Sequence, residues 1–198
     1  MDSRAVSCSR IHRGLRIHGM SGAEKKPFTV CFSGHRPEKL PTGTLLHMLQ
    51  SMLYHEIDLA VADGADTFYC GGAQGIDLDA ADYVISLRKK YPYLRLICAI
   101  PYPEHGAHLY GAARYRLTTV LGAANAVVHT SDHYHQGCFR VRNQYMISHS
   151  QRLIAVMTDA RSGTGQTVRM AEQAGIEARV ISLEQAVARH SHGTAETV

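Results

Sequence analysis

The chain lacks the long apolar run that a membrane span requires. A transmembrane helix needs roughly 18 or more consecutive apolar residues, and no stretch of this sequence approaches that length. With 198 residues, of which 45% are hydrophobic, the composition is typical of a folded globular protein. We therefore expect a single domain that does not enter a membrane.

Closely spaced cysteine pairs and metal-ligand spacings are also missing. The five cysteines form no C-x-x-C motif, and Cys31, Cys70 and Cys98 lie in or at the end of apolar runs. Such thiols are typical of reduced, buried cysteines in a cytoplasmic protein. The densest group among the thirteen histidines is His129, His133 and His135, and it lacks a matching carboxylate–histidine pattern. We expect surface histidines near a site and no metal.

Most of the chain carries no excess of positive charge. The formal net charge is +4, and residues 1–26 account for all of it with six basic and two acidic side chains. Subtracting these from the totals of 21 and 17 leaves 15 basic and 15 acidic residues in 27–198. A non-specific nucleic-acid binder normally shows a basic footprint. We therefore do not expect nucleic acid as a partner.

Residues 1–26 show neither helical nor strand periodicity. They are rich in arginine and poor in acids, as transit peptides are, but they lack an amphipathic pattern. We expect a disordered basic N-terminal extension or an upstream start, with Met20 as an alternative first residue. The folded domain is predicted at residues 27–190, and a frayed tail at residues 191–198.

From Phe28 onward, short apolar runs alternate with helical segments. The predicted strands are Phe28–Phe32, Asp66–Cys70, Leu94–Ile100, Asn125–His129, Leu153–Met157 and Ala178–Ser182. The predicted helices run from a Thr42 or Thr44 cap to about Gly64, then over Leu78–Lys89, Leu109–Leu121, Phe139–Ser150, Thr164–Ala174 and Leu183–Arg189. This alternation predicts an α/β, doubly wound, mostly parallel sheet with helices on both faces.

Loops of unusual composition stand at the carboxyl ends of the predicted strands. In open parallel sheets the ligand crevice lies outside those ends. The loops are Ser33–Pro37, Gly71–Gly75, Pro101–His108, Thr130–Gly137 and Asp159–Gly163. We expect them to converge on one site, where His35 and Tyr102 are placed to contact a base or a ribose.

Two glycine-rich turns join a predicted strand to a helix. Residues 71–77 read G-G-A-Q-G-I-D, and residues 161–167 read R-S-G-T-G-Q-T. Glycine allows tight turns and close approach to bare backbone, and a helix N-terminus favours a phosphate. In the second turn, Ser162, Thr164 and Thr167 add hydroxyls, although Ser162 or Thr164 also suits an ordinary helix cap. A single turn of this kind can serve packing alone, whereas two in one sheet favour a shared ligand.

A polar helix start, F-R-V-R-N-Q-Y, covers residues 139–145. Arginine pairs bidentately with phosphate, and Asn143 can hydrogen-bond a sugar or a base edge. The alternative is a solvated helix face.

Together, G-G-A-Q-G-I-D, F-R-V-R-N-Q-Y-M-I-S and S-G-T-G-Q-T resemble the SLOG superfamily of Rossmann-like proteins. The opening S-G-H-R-P resembles its YpsA/YoqJ branch, and the similarity covers roughly residues 28–182. The resemblance implies a Rossmann-like fold and a nucleotide-type ligand such as AMP, ADP-ribose or NAD. Relatives often dimerise, so a homodimer is compatible with it.

The resemblance transfers to individual positions of this chain. Gly71, Gly72, Gly75 and Asp77 match the first glycine motif; Arg142 and Asn143 match the R-N pair; Gly163, Thr164 and Thr167 match the second turn. With the residues singled out above, the predicted ligand-binding set is Ser33, Gly34, His35, Arg36, Gly71, Gly72, Ala73, Gly75, Asp77, Tyr102, Arg142, Asn143, Ser162, Gly163, Thr164, Gln166 and Thr167.

Two relatives within the superfamily imply rival functions. The Lonely Guy phosphoribohydrolases cleave N-glycosidic bonds with an arginine, which Arg142 matches, and a glutamate, where this chain has Thr167. DNA-processing protein A shares similar G-I-D and R-N motifs and binds single-stranded DNA, against which the neutral charge of residues 27–198 argues. We therefore predict a nucleotide-binding sensor or regulatory module. A phosphoribohydrolase-type hydrolase is the first alternative and single-stranded DNA binding the second, and the sequence assigns no catalytic residue.

Overall fold

The computed structural model describes residues 27–193, in which strands and helices alternate. The strands are β1 (Phe28–Gly34), β2 (Ala65–Cys70), β3 (Arg95–Ile100), β4 (Ala126–His129), β5 (Arg152–Met157) and β6 (Glu177–Ser182). The helices are α1 (Thr44–Ala62), α2 (Ile76–Leu87), α3 (Gly111–Ala123), α4 (Cys138–Ser148), α5 (Gly163–Gln173) and α6 (Leu183–Gly193). A short 3-10 helix, Pro37–Lys39, follows β1.

The six strands form one parallel sheet in the order β4-β3-β2-β1-β5-β6. The chain starts at β1 near the middle, builds outward to β4, and then returns to place β5 on the other side of β1. The strand order therefore reverses between β1 and β5. In an open α/β sheet the loops diverge at such a point and leave a crevice at the carboxyl ends of the strands.

Two hydrophobic cores cover the two faces of the sheet. Successive side chains of a strand point to opposite faces, so Val30 and Phe32 join one core while Cys31 joins the other. The larger core packs the sheet against α1, α2, α3 and α6, and the smaller one packs it against α4 and α5. The predicted doubly wound α/β fold is confirmed.

Most element boundaries lie within two residues of the predicted ones. The start of α1 differs from prediction, because Thr44 is its first residue and Gly43 precedes it without a side-chain cap. Leu49 and Met52 of α1 are buried in the larger core. Helix α6 continues to Gly193, past the predicted domain end at residue 190. The predicted extension at 1–26 and the end of the tail, 194–198, lie outside the described residues.

The two edges of the sheet differ in how they are protected. Strand β4 forms one edge and has only four residues. Strand β6 forms the other edge, where the Glu177 carboxylate forms ion pairs with Arg152 Nε and Arg179 Nε, each at 2.6 Å. Arg152 also pairs with Asp63 at 2.8 Å, so charged side chains tie this edge to the end of α1.

Two further expectations from the sequence concern the burial of the cysteines and the absence of a membrane-spanning helix. Cys31, Cys70, Cys98 and Cys138 are buried and form no disulfide, as predicted for the first three. No helix in this part of the chain combines the length and apolar character needed to cross a bilayer.

Candidate functional site

A cavity of about 280 Å³ opens at the carboxyl end of the sheet, beside the strand-order reversal. Loops after β1, β2 and β5 and the start of α4 form its walls. The predicted residues that line it are Ser33, Gly34, His35, Arg36, Ala73, Asp77, Arg142, Asn143, Ser162, Gly163 and Thr164. The structure therefore brings most of the predicted set to one place.

A buried arginine and a buried carboxylate face each other in this cavity. Arg142 of α4 is 6% exposed and Asp77 of α2 is 3% exposed. Arg142 Nη1 lies 3.5 Å from Asp77 Oδ2, a long distance for a charged pair. Within the described residues, Arg142 Nε and Nη1 donate no hydrogen bond. The guanidinium thus retains unused donors in a setting where unused donors are costly.

Burial shifts the ionisation of both groups. It raises the pKa of Asp77 to about 6, and the charge of Arg142 together with the backbone N–H groups of Ala73 and Gly34 opposes that rise. Burial also lowers the pKa of Arg142, which Asp77 opposes. Asp77 can consequently exchange a proton near neutral pH, while an arginine keeps its charge.

The glycines of the first turn are required by packing. A Cβ on Gly71 would lie 1.5 Å from Arg142 Nη1, so the guanidinium rests directly on that backbone. Gly72 has a φ of 68°, and a Cβ there would lie 2.6 Å from Ile100 Cδ1 in the core. Packing against Ile100 therefore requires a glycine at position 72, and Gly72 does not line the cavity.

Three amides of the first turn have acceptors within the protein. Gly72 N–H donates to Cys70 Sγ at 3.3 Å, and Ile76 N–H donates to the His35 carbonyl at 3.4 Å. Ala73 N–H serves the Asp77 carboxylate. A Cβ on Gly75 would lie 2.6 Å from the same His35 oxygen, which shows how closely the two loops pack. These three amides are therefore not available to an anion.

The second turn, by contrast, keeps amides available. Ser162 caps α5: its Oγ accepts from Gly165 N–H at 3.2 Å and donates to the Asp159 carbonyl at 2.5 Å. The first two amides of a helix, here Gly163 and Thr164, have no intrahelical acceptor. Both residues line the cavity, and a Cβ on Gly163 would meet no heavy atom within 4 Å. The positive end of α5 is thus open to an anion.

Thr167 lies behind the cavity and orients Asn143. The Thr167 side chain is fully buried; its hydroxyl donates to the Gly163 carbonyl at 3.0 Å and accepts from Asn143 Nδ2 at 2.8 Å. Because the hydroxyl has one proton, it must accept from Asn143, which fixes the amide group and leaves Asn143 Oδ1 for other partners. Thr167 and the exposed Gln166 were both predicted to bind the ligand, but neither lines the cavity.

An aromatic cluster borders the cavity beside Arg142. Phe139 lines the cavity and makes edge contacts with Tyr102 and His105 at ring distances of 6.4 and 6.0 Å. Tyr102 also contacts Tyr134 at 5.5 Å, and Arg36 Cζ lies over the Phe139 ring, 5.9 Å from its centroid. Tyr102 is next to the cavity without lining it. Sequence reasoning missed Phe139, although it stands one helical turn before the predicted arginine.

Two histidines at the site are held neutral by their surroundings. Burial lowers the pKa of His35, and it lowers the pKa of His105 to about 4. His105 Nε2 lies 3.3 Å from the Gly72 carbonyl, while His35 Nε2 is buried without a hydrogen-bond partner in the described residues. Over residues 27–193, no three His, Cys, Asp or Glu side chains gather closely enough to hold a metal.

Comparison with known sequences gives a family match over most of the chain. The model of the YspA SLOG family matches residues 30–185. A UPF0398 protein of Halalkalibacterium halodurans is 23% identical over 143 residues, covering 68% of this chain and 75% of that protein. The SPbeta prophage-derived protein YoqJ of Bacillus subtilis is 25% identical over 142 residues, covering 66% of this chain and 83% of that protein.

Solved structures show the same fold. DNA processing protein A of Helicobacter pylori, described for its single-stranded DNA binding mode, has a TM-score of 0.54 at 23% identity, covering 78% of this chain and 65% of that one. The Streptococcus pneumoniae protein has the same TM-score at 17% identity, covering 78% and 50%. The chain thus spans less than two thirds of either protein. At identities this low, the structural similarity establishes a shared fold and no more.

Proposed function

The chain belongs to the YspA SLOG family, as its motifs predicted, and from that premise we propose that it binds a nucleotide-type ligand in the cavity described above. The ligand's phosphate contacts Arg142 and the open start of α5. The observation that carries this proposal is the buried Arg142 guanidinium, which lines the cavity with Nε and Nη1 donating no hydrogen bond in the described residues. The protein acts as a binding or sensing module.

A phosphate satisfies the groups that the fold leaves unsatisfied. Leaving donors of a buried charge unused costs about 1–3 kcal/mol or more, and Asp77 at 3.5 Å compensates only part of it. Phosphate oxygens accept bidentately from a guanidinium and also accept from amides at a helix N-terminus. Arg142, Gly163 and Thr164 line the same cavity, so one anion can engage all three.

The remaining polar groups suit a sugar. Asn143 Oδ1 can accept a hydrogen bond from a ribose hydroxyl, because Thr167 fixes the amide in that orientation. Neutral His35 can donate or accept without adding charge. The cavity volume of about 280 Å³ is just below the roughly 300–1,000 Å³ usual for ligand pockets. AMP fits that scale, whereas ADP-ribose or NAD would extend from the mouth.

One observation favours a second candidate, a hydrolase acting on the glycosidic bond. Asp77 is a carboxylate in the cavity with its pKa raised to about 6 by burial, and groups of this kind serve as general acids or bases. The phosphoribohydrolase glutamate has no counterpart, since Thr167 is buried behind Asn143. Chromatography of AMP incubated with the protein tests this candidate, because release of adenine at roughly 1 s⁻¹ or faster would establish it.

The test of ligand binding compares two arginines of one helix by titration calorimetry with AMP, ADP-ribose and NAD. We expect Arg142→Gln to weaken binding by roughly 10- to 150-fold, since a hydrogen bond to a charged group contributes about 1.5–3 kcal/mol. Arg140→Gln is the matched control, because Arg140 is exposed and does not line the cavity. Because Arg142→Gln leaves the buried Asp77 without its partner, the double variant Asp77→Asn/Arg142→Gln, which removes both charges, serves as a folding control. If it folds like the parent by circular dichroism and still binds weakly, the lost binding does not reflect lost folding.

Two outcomes would reject the proposal. One is the absence of binding of all three nucleotides to the parent protein at millimolar concentration. The other is salt-dependent binding of single-stranded oligonucleotide with no nucleotide binding, the behaviour expected if the chain works as DNA processing protein A does. The neutral balance of residues 27–198 supports the nucleotide proposal over that alternative.

A further inference from the structure

Phe139 shares the cavity wall with Arg142. Residues three apart on a helix are neighbours, with roughly 5–6 Å between their Cβ atoms, so α4 places an aromatic ring beside the proposed phosphate site. Phe139 is only partly buried, although Cys138 beside it is fully buried. Because Phe139 lines the cavity, the exposed part of its ring can be reached by a ligand there.

A planar group already lies over that ring. The Arg36 guanidinium carbon is 5.9 Å from the Phe139 centroid, while Tyr102 and His105 meet Phe139 at steep angles of 73° and 72°. The side chain of Arg36 is exposed and makes no ion pair among residues 27–193. The Phe139 ring therefore accommodates a flat group, the Arg36 guanidinium, which is held there by a weak cation–π contact.

Resting on the proposed function, we propose that Phe139 is the platform on which the ligand's nucleobase stacks, and that Arg36 leaves the ring to pair with the phosphate of the bound ligand, which frees the ring for the base. A base has a π face that stacks on an aromatic side chain. The ligand class is then a nucleotide with an aromatic base, and a sugar phosphate lacking the base binds more weakly.

The position of Arg36 supports both halves of this exchange. Arg36 lines the cavity together with Arg142 and Phe139. Its charge is near enough to influence the pKa of Asp77 and of Arg142. A guanidinium displaced from the ring consequently remains beside the phosphate site, where it offers a bidentate contact.

The first experiment compares AMP with ribose 5-phosphate on three proteins by titration calorimetry. We expect the parent to bind AMP about tenfold or more tightly than ribose 5-phosphate, the scale of stacking one base. Phe139→Leu should remove that preference and leave the affinity for ribose 5-phosphate unchanged. Tyr145→Leu, an aromatic change on the same helix away from the cavity, should preserve it. Equal affinities in the parent, or an equal loss of both ligands in Phe139→Leu, would overturn the platform.

The second experiment uses the absence of tryptophan from the chain. In Phe139→Trp the new indole is the sole tryptophan, so its fluorescence reports on stacking. AMP should quench it and ribose 5-phosphate should not. Quenching by both ligands alike would contradict stacking.

Arg36→Gln tests the exchange itself. We expect it to weaken AMP and ribose 5-phosphate by similar factors, because both carry the phosphate that Arg36 contacts. Tighter AMP binding with unchanged ribose 5-phosphate binding would show that Arg36 only competes for the ring, and would overturn its phosphate role. Failure of AMP, ADP-ribose and NAD to bind the parent would reject the proposed function itself, a result distinct from binding without base preference.

Discussion

The two glycine-rich turns look alike in sequence and differ in structure. In the first turn, residues 71–77, the amides serve Cys70, His35 and the carboxylate of Asp77, and the glycines permit close packing. In the second turn, residues 161–167, the helix starts with unused amides beside open space. Glycine content alone therefore does not reveal which turn keeps its amides free.

What separates the turns is an internal anion. Asp77 lies in the first helical turn of α2 and supplies negative charge to its own helix N-terminus. The first turn of α5 contains no acidic residue, and its cap is the neutral Ser162. Because a helix N-terminus favours negative charge, the first turn is satisfied within the chain, whereas the start of α5 has no acidic partner in its own first turn.

The sharpest way to break this comparison is to add a methyl group to each turn. Gly71→Ala places Cβ against the Arg142 guanidinium and should separate Arg142 from Asp77, which costs about 3 kcal/mol for a broken buried pair. Gly163→Ala adds a Cβ in open space and should change stability by about 0.5 kcal/mol or less. Urea denaturation of both variants measures the difference. Equal losses would mean that the turns do not differ in packing.

A second variant examines the support behind the open turn. Thr167→Val keeps the shape but removes the hydroxyl that serves Asn143 and Gly163. Losing two hydrogen bonds of about 1 kcal/mol each should reduce stability by about 2 kcal/mol, and a misplaced Asn143 should weaken nucleotide binding. Thr167→Ser retains the hydroxyl and should recover binding. If Thr167→Val binds as the parent does, the orientation of Asn143 is irrelevant to the ligand.

The cap offers a smaller and purely local test. Ser162→Ala removes the acceptor for Gly165 N–H and should cost about 1 kcal/mol. Ser162→Gly should lose only a few tenths of a kcal/mol, roughly. Thermal denaturation monitored by circular dichroism distinguishes the two. A loss well beyond the cap range would show that Ser162 also supports the cavity.

The smallest expected effect is on the pH dependence of binding. Asp77 and a bound anion compete for Arg142, so protonation of Asp77, whose pKa burial raises to about 6, should favour the anion. Affinity for ADP-ribose should therefore rise about threefold as pH falls from about 7.5 to 5.5, equivalent to half a pKa unit of further shift. Asp77→Asn should show a flat profile. Calorimetry at several pH values checks this, and affinity falling with pH would contradict the competition.

The fold and the place of the site follow from local sequence signals. Apolar runs punctuated by glycine and proline identified the strands, and loops at their carboxyl ends converge because the sheet is parallel. The direction of individual side chains depended on distant contacts. Gly72 faces Ile100, and Thr167 turns toward Asn143, 24 positions away. The sequence did not identify Phe139 as a cavity residue, because an apolar residue at the start of a helix is normally expected to lie in the hydrophobic core.

The short β4 edge and the charged β6 edge determine how copies of this chain can meet. Exposed strand edges invite pairing with another molecule, and proteins prevent it with short or charged edge strands. Here one edge offers four residues and the other carries the Arg152–Glu177–Arg179 ion pairs. Extension of the sheet from one molecule into the next is therefore disfavoured. A homodimer, which remains a prediction, would instead form through helical surfaces such as the outer side of α4, where Val141 is 43% exposed.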